Sequence, residues 1–320
     1  RVKPRCTVVG QCGGCQWQHV SYEEQLKQKS LIVSHALARI AKEEGIEIKP
    51  IIPSPDVFNY RNRAQFRSLG PKIGFYARKT HTLIEPDQCH IIEPPLNAEL
   101  QDIRKSLKTA PPERTSKFEV FIGKDGKAIR TFNKKHAEEN GFSQVNTRQN
   151  ENMVKYVTDL LPKPTTVDST NALPDGNLLD LYCANGNFSV PLNQKGWRVY
   201  GVDLSREAIH AARAHATPTT FFSAADCSLE VKKFAEKRRT FEAVLLDPPR
   251  VGADERIWKN LAALKPQKII YVSCNPATFA RDWARLKNEL GDAKLLHVQP
   301  FAMFPQTFHV ELVAYAEAGD

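Results

Sequence analysis

The sequence predicts an α/β fold in two parts: a doubly wound parallel sheet over residues 141–320, preceded by a smaller α+β domain over residues 1–140. Three observations carry this prediction. From about residue 178 onward, apolar runs of strand length alternate with stretches of helix length, the pattern of a parallel sheet covered by helices. Before residue 140 the apolar runs are short and broken by Pro and Gly, as in an antiparallel sheet. Charge divides at nearly the same place. Residues 1–150 hold 25 Lys and Arg against 16 Asp and Glu, whereas residues 151–320 hold 20 of each.

The elements follow in chain order. Residues 1–20 are rich in Gly and Cys and read as an irregular loop. Leu26, Ser30, Val33, Leu37 and Ile40 have helical spacing, so a helix is expected from Tyr22 to Glu44, stopped by Gly45. Four strands are expected near Ala64–Arg67, Lys72–Tyr76, Phe118–Ile122 and Ala128–Phe132, with a helix closing the stretch His90–Leu107. In the second half a helix over Glu151–Leu161 leads into strand Leu178–Tyr182, a Gly-containing turn and a helix. Strand Arg198–Asp203, helix 205–215, strand Thr220–Ser223, helix 228–237, strand Ala243–Asp247, helix 254–263 and strand Lys268–Ser273 continue the alternation. Two strands, Lys294–Gln299 and His309–Ala316, end it with no helix between them, a closing pair typical of Rossmann-like methyltransferase sheets.

Composition narrows the function classes. The chain has 320 residues, 41% hydrophobic and 25% charged, an ordinary globular balance. No apolar run approaches the roughly 20 residues that cross a bilayer, and no secretory leader is evident. The net charge of +9 lies wholly in the first half, which suits a surface facing a polyanion such as RNA. Seven cysteines, an odd number, argue against a disulfide scaffold and for a reducing cytoplasm.

The segment Leu179-Asp-Leu-Tyr-Cys-Ala-Asn-Gly-Asn-Phe188 is an apolar strand running into a tight turn. Ligands of such sheets bind beyond the carboxyl ends of the strands, and Gly186 lets the backbone approach one closely. Asp203 ends the next strand, near the 20-residue offset of a ribose-binding acid, and Asp226 follows the third strand, where an adenine amino group would lie. The triple-glycine phosphate cradle is missing, so S-adenosyl-L-methionine fits better than a dinucleotide. The alternative is a strand–turn–helix with solvated acids.

Three further segments stand at strand ends: Leu245-Leu-Asp-Pro-Pro-Arg250, Tyr271-Val-Ser-Cys-Asn-Pro276 and Phe304-Pro-Gln-Thr-Phe-His-Val-Glu311. The paired prolines fix a rigid rim on which Asp247 and nearby carbonyls can face a planar base. With the Leu-Asp-Leu-Tyr-Cys run, these segments resemble the uracil-5 RNA methyltransferases, over essentially the whole chain. The resemblance implies a Rossmann-like S-adenosylmethionine-dependent methyltransferase domain with Cys274 as nucleophile and Glu311 as base. Uracil C5 is too weak a nucleophile to attack a methyl sulfonium unaided. A thiolate added at C6 makes it carbanion-like, and a base must then remove the C5 proton so that the thiolate can leave. Cys274 as a small core residue, Glu311 as a surface charge and Asp247 as a helix cap are the alternatives.

Matching positions imply that Gln144, Tyr182 and Asn187 touch the cofactor with Asp203, Asp226 and Asp247. Asp203 replaces the more common Glu and Ala184 the more common Gly. Phe142 is the expected stacking partner of the target base.

Cys6, Cys12, Cys15 and Cys89 form a separate group. Four thiolates suit structural zinc or an iron–sulfur cluster, and one short pair with two isolated thiols fits a cubane [4Fe–4S] cluster better. The resemblance points the same way, to the ribosomal-RNA branch of the family. The first domain is therefore expected to carry the cluster and to bind RNA, with Arg61 and Arg63 among basic and aromatic residues suited to phosphates and unpaired bases. Many family members begin with a small β-barrel (TRAM) domain, which is lacking ahead of Arg1 by nature or by removal. The expected activity is methylation of a uridine in 23S rRNA by a cytoplasmic monomer. The alternatives are a tRNA uridine-5 methyltransferase, an amino-methyltransferase, or a non-catalytic metal-stapled RNA-binding protein.

Overall fold

The computed structural model describes residues 1–123, 125–133, 144–162 and 177–318. Helix α1 (Tyr22–Ala36) is capped by the Ser21 hydroxyl, which accepts from the Glu24 amide, and runs into a π turn at Leu37–Ala41. It ends at Lys42 in the left-handed conformation, three residues before the expected Gly45. Strand β1 (Glu47–Ile48) follows. Strands β2 (Arg63–Leu69), β3 (Lys72–Tyr76) and β4 (Leu83–Ile84), helix α2 (Pro94–Thr109) and strands β5 (Ser116–Ile122) and β6 (Ala128–Phe132) come next. The five strands β2 to β6 form an antiparallel sheet in the order β4-β3-β2-β5-β6. Leu96, Leu100, Ile103 and Leu107 on one face of α2 pack against Ala64, Phe66, Ile73, Phe118 and Val120 of this sheet.

Helix α3 (Thr147–Leu160) is capped by Asn146. Strand β7 (Asn177–Leu181), helix α4 (Ser189–Gln194), strand β8 (Arg198–Asp203), helix α5 (Arg206–Arg213), strand β9 (Thr220–Ala224) and helix α6 (Cys227–Glu236) succeed it. Then come strand β10 (Ala243–Leu246), helix α7 (Trp258–Ala263), strand β11 (Lys268–Ser273), helix α8 (Pro276–Leu290), and strands β12 (Lys294–Phe301) and β13 (Glu311–Glu317). The second sheet has the order β1-β12-β13-β11-β10-β7-β8-β9 among the described residues. Only β13 runs against its neighbours there. Strands β7, β10 and β11 are buried at almost every position, which their unbroken apolar runs require.

Packing crosses residue 140 at the segment from α1 to β1. Strand β1 pairs in parallel with β12, and Val33 and Leu37 enter the core of the second sheet with Trp283, Leu286 and Val298. Burying such side chains contributes roughly 1.5–3 kcal/mol each. The buried face of α1 is also rotated from the expected stripe: Gln25, Lys29 and Val33 point inward, and Ile40 is exposed. Helix α8 went unread in the sequence, although Phe279, Trp283 and Leu286 have helical spacing and are buried. Among the described residues, no helix is long and apolar enough to cross a membrane.

Candidate active site

Strand pairing brings the expected residues to one edge of the second sheet. Leu181 pairs with Val202 and with Leu246, so Tyr182, Asp203 and Asp247 leave their strands at one level. Ser273 pairs with Leu312 in the antiparallel β11–β13 ladder. Cys274 directly follows Ser273 and Glu311 directly precedes Leu312, and Glu311 lies near enough to act on the Cys274 thiol. An antiparallel last strand is what lets an acid on its first residue arrive at the carboxyl ends of the parallel strands.

Cys274, Glu311, Asp247, Tyr182, Asp203, Asp226, Gln144 and Arg63 all line a single cavity of about 1,460 Å³. Arg63, with Lys117 and Glu119 from β5, forms its wall on the side of the first sheet. The corner around Cys274 is acidic, with Asp247 and Glu311 both on its wall. Burial, then the neighbouring Asp180 and Asp203, pushes the Asp247 carboxyl up to about 8. Glu311 is 2% exposed, and burial beside Asp247 holds its carboxyl well above the usual range. Burial, then Glu311 and Asp247, pushes the Cys274 thiol up to about 11, with Arg250 acting in the opposite direction.

The loop after β7 is built for close approach. Tyr182, Ala184 and Gly186 all have left-handed backbones, with φ of 62°, 47° and 87°. Ala184 thus occupies the conformation that favours glycine. Its amide donates to Asp203 Oδ2 at 2.9 Å, and the Ser205 amide donates to Oδ1 at 2.8 Å. Each oxygen keeps a lone pair for a ribose hydroxyl, so the shorter acid is held where it can serve. Asp226 caps α6, accepting from the Leu229 amide at 3.1 Å and the Ser228 hydroxyl at 2.6 Å, while still lining the cavity.

Two expected residues fall elsewhere. Asn187 does not line the cavity; its amide pairs reciprocally with that of Asn150 on α3 at 2.8 and 3.1 Å, so it fastens helix to loop. Arg61 lines the cavity of the cysteines instead, with its Nε buried and unpartnered. Phe142 lies outside the described residues. Sequence reasoning missed Asp180, fully buried, with Oδ2 held by the Ser189 hydroxyl and Oδ1 without a partner. An acid inside an apolar strand was the available signal. It also missed Asp282, a buried carboxylate on α8 that accepts from the Ala253 amide at 2.9 Å and the Tyr271 hydroxyl at 2.7 Å. This pins the loop after Asp-Pro-Pro-Arg against the helix that follows Cys274. Gly252 of that loop, at φ 91°, has no room for a Cβ against Arg281, Asp282 and Thr278.

Cys6, Cys12, Cys15 and Cys89 line a second cavity of about 190 Å³, and Arg63 touches both cavities. Burial is the main cause that pushes the Cys15 thiol up to about 12, and Cys89, Cys12 and Cys6 add to it. Among the described residues, no three His, Cys, Asp or Glu side chains converge tightly enough to hold one metal ion. A single zinc ion gathers its thiolates to about 2.3 Å from one point. A cubane binds one thiolate at each of four separate iron corners.

The sheet order, the loop after β7 and the acids at successive strand ends define a Rossmann-like α/β methyltransferase. A family model described as tRNA (uracil-5-)-methyltransferase matches residues 126–221 and 226–318. The chain belongs to the uracil-5 RNA methyltransferase family, enzymes that methylate C5 of uracil in RNA with S-adenosylmethionine. It is 35% identical to an uncharacterised RNA methyltransferase of Bdellovibrio bacteriovorus, over 98% of this chain and 79% of that protein. It is 32% identical to the 23S rRNA (uracil(1939)-C(5))-methyltransferase RlmD of Pseudomonas aeruginosa, over 100% of this chain and 81% of that protein. Among solved structures it resembles the Pyrococcus abyssi tRNA (uracil-54, C5)-methyltransferase in complex with S-adenosyl-L-homocysteine. The TM-score is 0.71 at 26% identity, over 95% of this chain and 86% of that one.

Proposed function

We propose that the protein methylates C5 of a uridine in 23S rRNA through a covalent adduct between Cys274 and C6 of the base. The observation that carries this reading is the shared cavity: Cys274, Glu311 and Asp247 line it together, at the end of the ladder that pairs Ser273 with Leu312. The target base leaves its stack and enters between the two sheets. Cys274, ionised, adds to C6, and the electron pair released reaches C5 and O4 as an enolate. Asp247, which keeps its proton at neutral pH in the free cavity, donates to the developing oxyanion. S-adenosylmethionine, when bound, supplies an electrophilic methyl group and a positive sulfonium that offsets the acidic walls. C5 then bears both methyl and hydrogen. Glu311, ionised once the bound sulfonium offsets the burial that raises its pKa, takes that proton, the C5–C6 double bond re-forms, and the sulfur of Cys274 departs.

Tyr182, Asp203, Asp226 and Gln144 hold the cofactor. The left-handed loop after β7, with Tyr182 and Ala184 on the cavity wall, supports a polar ligand at close range. Arg63, between the two cavities, works on the RNA side. A [4Fe–4S] cluster on Cys6, Cys12, Cys15 and Cys89 braces the front of the molecule, a reading supported by the shared cavity of the four thiols. Protein purified without oxygen is expected to carry four irons and four acid-labile sulfides per chain; a single zinc in their place would overturn this part. One chain supplies every residue of the site, which fits a monomer. The free thiols fit the cytoplasm.

The test is incubation with 5-fluorouridine-substituted 23S rRNA and S-adenosylmethionine. Fluorine at C5 cannot leave as a proton, so a denaturation-resistant adduct is expected from wild type and not from Cys274→Ala. Absence of an adduct from wild type would defeat the covalent reading. The likeness to the Pyrococcus abyssi enzyme favours a tRNA uridine as the second reading, and a tRNA transcript in the same assay decides between them.

A further inference from the structure

The loop between β12 and the base is held, carbonyl by carbonyl, from the front of the chain. Met303 O accepts from the Asn146 amide side chain at 3.0 Å. Phe304 O accepts from Lys29 Nζ at 2.9 Å, and Pro305 O from the Tyr60 hydroxyl at 3.0 Å. Gln306 O accepts from two backbone amides, those of Gln16 at 3.1 Å and Trp17 at 3.0 Å. Gln25 closes the arrangement, accepting from the Gln306 amide at 2.9 Å and donating to its side-chain oxygen at 3.1 Å. Four successive carbonyls are thereby fixed by residues distant in sequence, and the chain reaches Glu311 five residues later.

Lys29 is the informative member. It is fully buried, and an ammonium group taken out of water costs several kcal/mol unless its partners repay it. What the lysine adds is an Nζ donor aimed at Phe304 O, which it remains although burial lowers its pKa to about 7. Gln306 has a left-handed backbone with φ 68°, a conformation that surrounding bonds must maintain in a non-glycine residue. Gln16 and Trp17 follow Cys15 directly, so whatever fixes Cys15 also fixes two of the bonds.

We propose that Lys29 and Tyr60 are positioning residues for the catalytic base, completing with the segment after Cys15 a clamp that fixes Glu311 against the adduct. The proposal rests on the covalent reading above. It predicts a selective defect. Adduct formation depends on Cys274 and the cofactor loop, which the clamp does not touch, whereas proton removal depends on where Glu311 sits.

The experiment uses the full chain, native uridine RNA and S-adenosylmethionine. It follows adduct formation and product release separately by quench and denaturing gel, with RNA affinity measured alongside. Glu311→Gln is expected to accumulate a methylated adduct that is not released. Tyr60→Phe, which removes one hydroxyl, is expected to slow release about five-fold. Lys29→Met, which keeps the volume and loses the Nζ donor, is expected to slow it about ten-fold. In both, adduct formation and RNA affinity stay at wild-type values. Release at the wild-type rate, or adduct formation slowed as much as release, would overturn the positioning role. No adduct even from Glu311→Gln would instead remove the covalent reading on which it rests.

Discussion

Asp180 makes folding stability depend on pH in a predictable direction. Its carboxyl is fully buried in β7, and burial pushes it from the ordinary 3.8 up to about 7, Asp203 adding to the effect and Ser189 opposing it. Because the folded pKa is raised, both states carry the proton at low pH and the group is then neutral in its effect. As pH rises above about 4 the unfolded chain loses the proton and the folded chain does not, so stability falls until pH reaches about 7. A shift of roughly three units at 1.36 kcal/mol each sets a ceiling of about 4 kcal/mol. Asp180→Asn removes the titration while keeping shape and the acceptor for Ser189. Denaturant unfolding of both proteins from pH 4 to pH 8 measures the effect. The variant should gain stability relative to wild type across this range, by up to that ceiling. Asp247 and Glu311 have raised pKa values too, so the variant should keep a residual slope of the same sign. A wild-type-to-variant difference that does not change with pH would refute the reasoning.

Other consequences can be checked by the same means. Asp282→Ala strips acceptors from the Ala253 amide, the Tyr271 hydroxyl and Arg281, so it should cost about 3–5 kcal/mol in denaturant unfolding. A cycle with Tyr271→Phe should return part of that loss. Ala184→Gly relieves a left-handed alanine at φ 47° and should raise stability by up to about 1 kcal/mol, with cofactor affinity by calorimetry held or improved. Arg250 lowers the Cys274 pKa and lies within reach of His309 at 3.4 Å. Arg250→Gln should therefore move the rising alkaline limb of kcat/KM to higher pH.

The sequence carried the strand ends better than it carried directions. Apolar runs ending in Asp203, Asp247 and Ser273 marked the sheet edge, because a buried strand must be apolar along its length and polar only where it stops. Side chains in the intervening turns have no period. Asn187, one residue past Gly186, was read as facing a ligand and faces Asn150 instead, and Arg61, two residues before Arg63, belongs to the other cavity. Strand β1 has two residues, too few to alternate, and its place beside β12 is fixed by contacts more than 240 residues away in the chain. Lys29 and Gln25 were invisible for a different reason: a polar residue on a helix reads as solvent-facing unless its partner is known.

The site's chemistry turns on how a nucleophile with a raised pKa becomes reactive. Cys274 precedes helix α8, whose N-terminus favours a thiolate, yet burial and the two carboxyls prevail and hold the thiol near 11. Two units above the ordinary value leave roughly a hundred-fold less thiolate at neutral pH than in a free cysteine. Burial and the two carboxyls thus hold the nucleophile in its unreactive form. Filling the cavity with a cation should reverse the balance, and charge can be separated from occlusion by comparing two ligands of nearly equal shape. S-adenosylmethionine bears a positive sulfonium, and S-adenosylhomocysteine is neutral at sulfur. Alkylation of Cys274 by iodoacetamide, followed by peptide mass spectrometry, should be slow in the free enzyme and faster with S-adenosylmethionine than with S-adenosylhomocysteine. Equal rates with the two would mean that the sulfonium does not reach the thiol electrostatically, and that ionisation waits for the RNA.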